Sequence, residues 1–229
     1  MTNELWALVA FLLTFFALVM MYRFFGKEGL FVWVAIGTVI ANIQVTKSVE
    51  LFGITATLGN VLFASIYLAT DILNDRYGRI VAKKAVWLGF ASAIIMTLLM
   101  TTSLQFAPTK TDIAQESMET LFGVVPRIVL GSIVAYIIGQ YVDVYLFNLI
   151  KKYFSSEKTF IVRAYGSTLF SSIVDTALFS IIAFTGIMPN DVVFEIFITT
   201  YVFKLASTIL NIPFGYWAKS YHTSEIYNK

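Results

Sequence analysis

The 229-residue sequence contains no cysteine and a single histidine, His222, and only 13% of its residues are charged. Without cysteine there can be no disulfide, thiolate metal site, iron–sulfur cluster or cysteine nucleophile. His222 lies in a polar tail, so no apolar segment carries a histidine that could activate a serine. Motifs are missing too. No G-x-x-x-x-G-K-[ST] loop is present to hydrolyse ATP, and neither H-E-x-x-H nor G-x-S-x-G occurs. A net charge of +2 is too small to argue for nucleic acid. These absences point away from an enzyme, and no cofactor is expected.

Apolar residues dominate what remains: 58% of the chain is hydrophobic, 16% aromatic, and the mean hydropathy is +0.78. That leaves too little polar surface to clothe a soluble domain, so an integral membrane protein is expected. Crossing about 30 Å of hydrocarbon takes roughly 20 apolar helical residues. Seven stretches qualify: Leu5–Tyr22, Leu30–Val45, Thr57–Asn74, Val81–Leu104, Val125–Ile150, Ala164–Ile187 and Val192–Ala218. The strict alternation of a membrane β-barrel is missing. The reading is an all-α integral membrane protein of about seven transmembrane helices. Connections are short except residues 107–123, where Thr111 or Asp112 could cap a helix ahead of Ile113, Met118 and Phe122. That segment reads equally as a loop or as a short interfacial helix.

Lysine and arginine fall on alternate connections. One set holds Arg23 and Lys27, then Arg76, Arg79, Lys83 and Lys84, then Lys151, Lys152, Lys158 and Arg163, and finally Lys219 and Lys229 in the tail. The other set holds Lys47, Lys110 and Arg127 among acidic residues. By the positive-inside rule the N-terminus is outside and the C-terminus cytoplasmic, which needs an odd number of spans. The first segment has Glu4 before its apolar core and Arg23 after it, the reverse of a cleavable signal, and reads as an anchor.

Polar side chains in hydrocarbon must face protein or a watery cavity. Several segments carry them on one helical face. The third has Asn60, Tyr67, Asp71 and Asn74; the fifth Ser132, Tyr136, Gln140, Asp143 and Phe147; the sixth Ser167, Ser171 and Asp175, with Thr168, Ser172 and Thr176 beside them. The seventh has Tyr201, Lys204, Thr208 and Asn211, and the second adds Thr38, Asn42 and Gln44. Such stripes suggest a bundle around a polar cavity. Asp175 lies about 18 Å inside Arg163 and Lys204 about 14 Å inside Glu195, at about 1.5 Å per residue. Similar depth on successive helices predicts that the two pair. Asp71 and Asp143 lie nearer the basic side. Serines and threonines in membrane helices commonly serve only helix packing, so the carboxylates carry most of the functional expectation.

LATDILNDRYG (68–78), GQYVDVYLFN (139–148), STLFSSIVDT (167–176) and YVFK (201–204) together resemble the queuosine precursor transporter family, also described as the vitamin uptake transporter family. The resemblance runs from about Phe31 to Tyr216. It implies a six-helix carrier core for 7-deazaguanine bases, here residues 28–219. Residues 1–27 would be an additional N-terminal helix and 220–229 a cytoplasmic tail. Substrate-binding positions implied or suggested are Asp71, Gln140, Asp143, Phe147, Asn148, Asp175, Tyr201 and Lys204. A carboxylate can accept both N–H groups of a guanine-like edge, a Gln or Lys can satisfy the carbonyl, and an aromatic ring can stack. Asp175 could instead relay a proton. The expected partners are a deazapurine base and the bilayer, with a second copy of the chain or an ATPase module as further candidates. A substrate-binding subunit of an energy-coupling-factor importer, or a scaffold whose stripes only join helices, are the competing expectations.

Overall fold

The computed structural model describes residues 2–153 and 160–221; within these, the side chains of Val144, Phe147, Lys151, residues 160–165, Thr168, Thr208 and Lys219 lie outside the description, as do His222, Lys158 and Lys229. Helix α1 (Asn3–Gln44) has 42 residues, which would be about 63 Å if straight, roughly twice a hydrocarbon layer. It is not straight. Gly26 adopts φ 55° and ψ −136°, a backbone region closed to residues with a Cβ. Gly29 then packs against the backbone of Met21, which a straight helix would hold about 12 Å away. The helix doubles back at Gly26, and its two arms are the first two predicted segments.

Next in the chain is a two-stranded antiparallel hairpin, β1 (Ser48–Leu51) and β2 (Ile54–Thr57), with Leu51 paired to Ile54. No strands were expected here, and the third segment was expected to begin at Thr57. Phe52 (φ 53°) and Gly53 (φ 78°) make the two-residue turn, and positive φ at both is the I′ geometry that suits a twisted hairpin. Phe52 bears the strain that glycine avoids. Glu4 helps to hold it: the Phe52 N–H donates to Glu4 Oε1 at 3.2 Å, and Asn3 Nδ2 donates to the Glu50 carbonyl at 2.9 Å. The start of the first arm therefore meets the chain just beyond the second.

Helices α2 (Asn60–Tyr77) and α3 (Arg79–Ser103) join at Gly78. After the long connection come α4 (Gln115–Tyr153), α5 (Phe160–Phe184), α6 (Asn190–Leu210) and α7 (Ile212–Lys219). Asp112 is the cap that the sequence suggested. Its Oδ1 accepts the backbone N–H groups of Gln115 and Ala114, both at 2.8 Å, and these bonds hold its carboxyl below the usual range. Residues 115–123 form neither a loop nor a separate interfacial helix, because they are the first turns of α4. The seventh predicted segment is bent by 46° between α6 and α7, where Pro213 follows Ile212.

Among the described residues, α1, α3 and α4 as far as Ile150 are each long and apolar enough to cross a membrane, and α6 with α7 is so as a bent pair. α2 is diluted by Asp71, Asn74, Asp75 and Arg76, and the described apolar part of α5, Leu169–Phe184, is short for a span. The architecture is that of a helical membrane protein of about seven helices, with the hairpin as its one addition.

The chain forms two compact units, Met1–Pro126 with Val202–Lys229, and Arg127–Tyr201. The core of the first is apolar. Phe15, Leu18 and Tyr22 of the first arm, Leu30 of the second, and Ile72 and Leu73 of α2 are at most 1% exposed and form one cluster. The first arm is thus part of the same core as α2. Thr38 and Asn42, expected on a polar stripe, are buried there; each donates to its own helix, to the Val34 and Thr38 carbonyls at 2.7 Å. At one end of this unit Arg23 stacks on Tyr221, 5.2 Å from the ring centroid, and Lys27 lies 5.8 Å from that of Tyr77. Three basic connections assigned to one side by charge do lie together.

Candidate functional site

The fifth and sixth predicted segments, α4 and α5, meet in the second unit along an antiparallel seam. Four contacts give its register. Opposite Gly131 are Ile182 and Ala183; opposite Gly139 is Asp175; opposite Asp143 is Ser171; and opposite Ile150 is Gly166. On α4 the contacting positions Gly131, Gly139 and Asp143 fall on one helical face, and the buried Ala135 lies on that face between the two glycines. Lipid tails are as apolar as leucine, and membrane helices gain by close backbone approach, which such a face permits.

The seam carries polar chemistry at its centre. Ser171 Oγ donates to Asp143 Oδ1 at 3.1 Å, and Ser171 is only 7% exposed. Thr176 Oγ1 donates to the Ser172 carbonyl at 2.6 Å and lies 3.1 Å from Asp175 Oδ1. Asp143 and Asp175 are both half-buried. Ser171 precedes Asp175 by one turn, so the register sets the two aspartates at levels about 6 Å apart along the seam. Carboxylates in such an arrangement can accept N–H donors.

The remaining expected residues divide. Gln140 is exposed beside Gly139, and Asn148 is exposed two turns further along α4. Phe147 is on α4, with its side chain outside the described residues. Tyr201 is half-buried and its hydroxyl donates to the Leu169 carbonyl over a long 3.4 Å. Asp71 lies in the first unit, exposed with Tyr67 and Asn74 on α2, on the side away from the buried Leu68, Ile72 and Leu73. Lys204, the expected partner of Asp175, is half-buried on α6 and also belongs to the first unit. The seam therefore unites Asp143, Asp175 and Ser171, with Gln140 adjoining.

Two residues emerge that the sequence reading passed over. Arg127 was counted only as a charge in a connection, yet its guanidinium donates to the Ile182 and Thr185 carbonyls at the end of α5. The last carbonyls of a helix attract a cation, so this bond fixes the register of the seam from one end. Gly139 was quoted within a motif without a role. Its signal was the spacing Gly131, Ala135, Gly139, Asp143. Among the described residues no group of three or more His, Asp or Glu is placed to hold a metal.

A family model described as "Putative vitamin uptake transporter" matches residues 57–218. A Bacillus subtilis (strain 168) protein named "Probable queuosine precursor transporter" is 46% identical over 217 residues, covering 95% of this chain and 94% of that one. A Haemophilus influenzae protein of the same name is 32% identical over 58% of this chain and 54% of its own length. The Escherichia coli (strain K12) "Queuosine precursor transporter" is 28% identical over 63% of this chain and 62% of its own. No solved structure matches. The blocks quoted from 68 to 204 lie within the matched region, and the chain belongs to the vitamin uptake transporter family, a family of multi-pass membrane transporters of small molecules.

Proposed function

We propose that the chain imports queuosine precursors, bases of the 7-deazaguanine type, across the cell membrane by a secondary or facilitative route. The observation that carries this reading is the near full-length similarity to the Bacillus subtilis protein and its name. The α4–α5 seam supports it chemically. Asp143 or Asp175 accepts the paired N–H groups of the base, Gln140 or Lys204 meets its carbonyl, and Tyr201 or Phe147 stacks on the ring. Asn148 extends the polar face of α4, and Asp71 and Lys204 of the first unit are further substrate-binding candidates. Residues 28–219 form the transport core, residues 1–27 pack onto it, and residues 220–229 are the tail. The N-terminus faces outside and the C-terminus the cytoplasm, from the distribution of Arg and Lys.

The test uses cells unable to make the precursor. With the base supplied in the medium, tRNA should acquire queuosine only when this chain is expressed; equal modification without it defeats the proposal. Proteoliposomes holding the chain alone should take up the base. If they do so only after ATP-binding subunits are added, an energy-coupling-factor arrangement replaces the secondary route.

A further inference from the structure

Asp175 can stand where it does because nothing is attached to Gly139. A Cβ built at position 139 would lie 2.8 Å from the Asp175 Cβ and 3.6 Å from its carboxylate carbon and Oδ2. Carbon atoms so close repel, and the Asp175 Cβ cannot swing aside, because it is fixed to the backbone of α5. Gly131, two turns earlier on the same face, presents a different case. A Cβ there would meet the Ile182 side chain at 3.4 and 3.5 Å and the Ala183 nitrogen at 3.6 Å, which is ordinary contact. Helix packing tolerates an alanine at 131 but not at 139, and the neighbour at 139 is a carboxylate residue.

We propose that Gly139 is a positioning residue for Asp175. It lets α5 approach α4 at this level and so holds the Asp175 carboxylate on the seam, one helical turn from Asp143. Gly139 itself touches no ligand; it acts through Asp175. The binding arm of its test rests on the proposed transport of deazapurine bases, whereas the geometric arm does not.

In the binding arm, affinity for a 7-deazaguanine base is titrated with purified protein. Gly139→Ala should weaken binding on the order of tenfold or more, because a charged hydrogen bond depends on placement to a few tenths of an ångström. Gly131→Ala should stay within about twofold of the unaltered protein, as its added methyl fits. Equal losses from both variants would overturn the proposal. Gly139→Ala is then combined with Asp175→Asn. Asparagine keeps the same Cβ, so the loss of thermal stability from Gly139→Ala should persist. The affinity should fall no lower than with Asp175→Asn alone. A further drop in affinity shows Gly139 acting independently of the carboxylate, and the idea is wrong.

The geometric arm needs no ligand. The chain has no cysteine, so Gly131→Cys with Ile182→Cys introduces the sole thiol pair, with Cβ atoms 3.5 Å apart as a disulfide requires. Oxidation should close this bond readily, and about threefold or more slowly once Gly139→Ala parts the helices. An unchanged rate means that alanine is accommodated, and the proposal falls whatever binds. Slower closure in a protein that binds no deazapurine would instead leave the positioning role standing and remove the transport reading.

Discussion

Around α2, helices meet through bulk. Phe15, Leu18, Leu30, Ile72 and Leu73 fill the space between α1, α2 and α3, and Trp33 Nε1 adds a hydrogen bond to Ser65 Oγ at 3.0 Å. Along α4 and α5, helices meet through the removal of bulk. Gly131 and Gly139 bring the backbones together, and along the seam lie a serine and two aspartates. Large apolar side chains in lipid gain little from leaving it, and their worth is close packing. A hydrogen bond between membrane helices contributes only about 0.6 kcal/mol on average. Two carboxylates are a poor means of joining helices at that return, whereas leucine and phenylalanine are a good one. The first region is built to be held; the second is the one we propose to hold the base.

Substitutions can break this contrast or sharpen it. The largest effect is expected at the seam: Asp175→Asn and Asp143→Asn preserve shape but remove charge, and uptake should fall to background while membrane-inserted protein stays at its normal amount. Full uptake by both variants would make the carboxylates mere helix contacts and erase the contrast. Next comes the apolar core, where Leu18→Ala empties space around a residue with no exposure. Thermal unfolding in detergent should show a loss of about 2–5 kcal/mol, with uptake per folded molecule unchanged. Normal stability would mean that the first arm is an appendage.

The smallest effect belongs to the cap. The Asp112 carboxyl is held low by the backbone N–H groups of Gln115 and Ala114, so its contribution is present above the ordinary carboxylate value of about 3.9 and is lost as pH falls through the lower folded one. Asp112→Ala should speed amide exchange at residues 114 and 115 at neutral pH and leave the seam untouched. Equal exchange in both proteins would remove the cap.

Much of this was readable from residue order, because hydrocarbon imposes few solutions. The arms of α1 followed from two apolar runs separated by Arg23, Gly26 and Lys27, whereas Ser171 and Asp175, expected to line a cavity, meet α4. The hairpin was not readable: Ser48–Thr57 is too short and too mixed to signal strands, and what fixes it is bonding from Asn3 and Glu4, more than forty residues away. The start of α4 was missed because Glu116 and Glu119 suggested water, although acidic residues suit the first turns of a helix. The role of Gly139 depends on which residue the neighbouring helix sets opposite it, and a single chain does not state its own register.

The fold-back at Gly26 also bears on the order of assembly. Both ends of α1 lie on one side, so its forty-two residues can enter the bilayer as a closed loop. With α2 and α3 coming next, most of the apolar core has been synthesised before the chain reaches Asp143 or Asp175. The two carboxylates that sit least easily in lipid are thus made late, after the residues of that core.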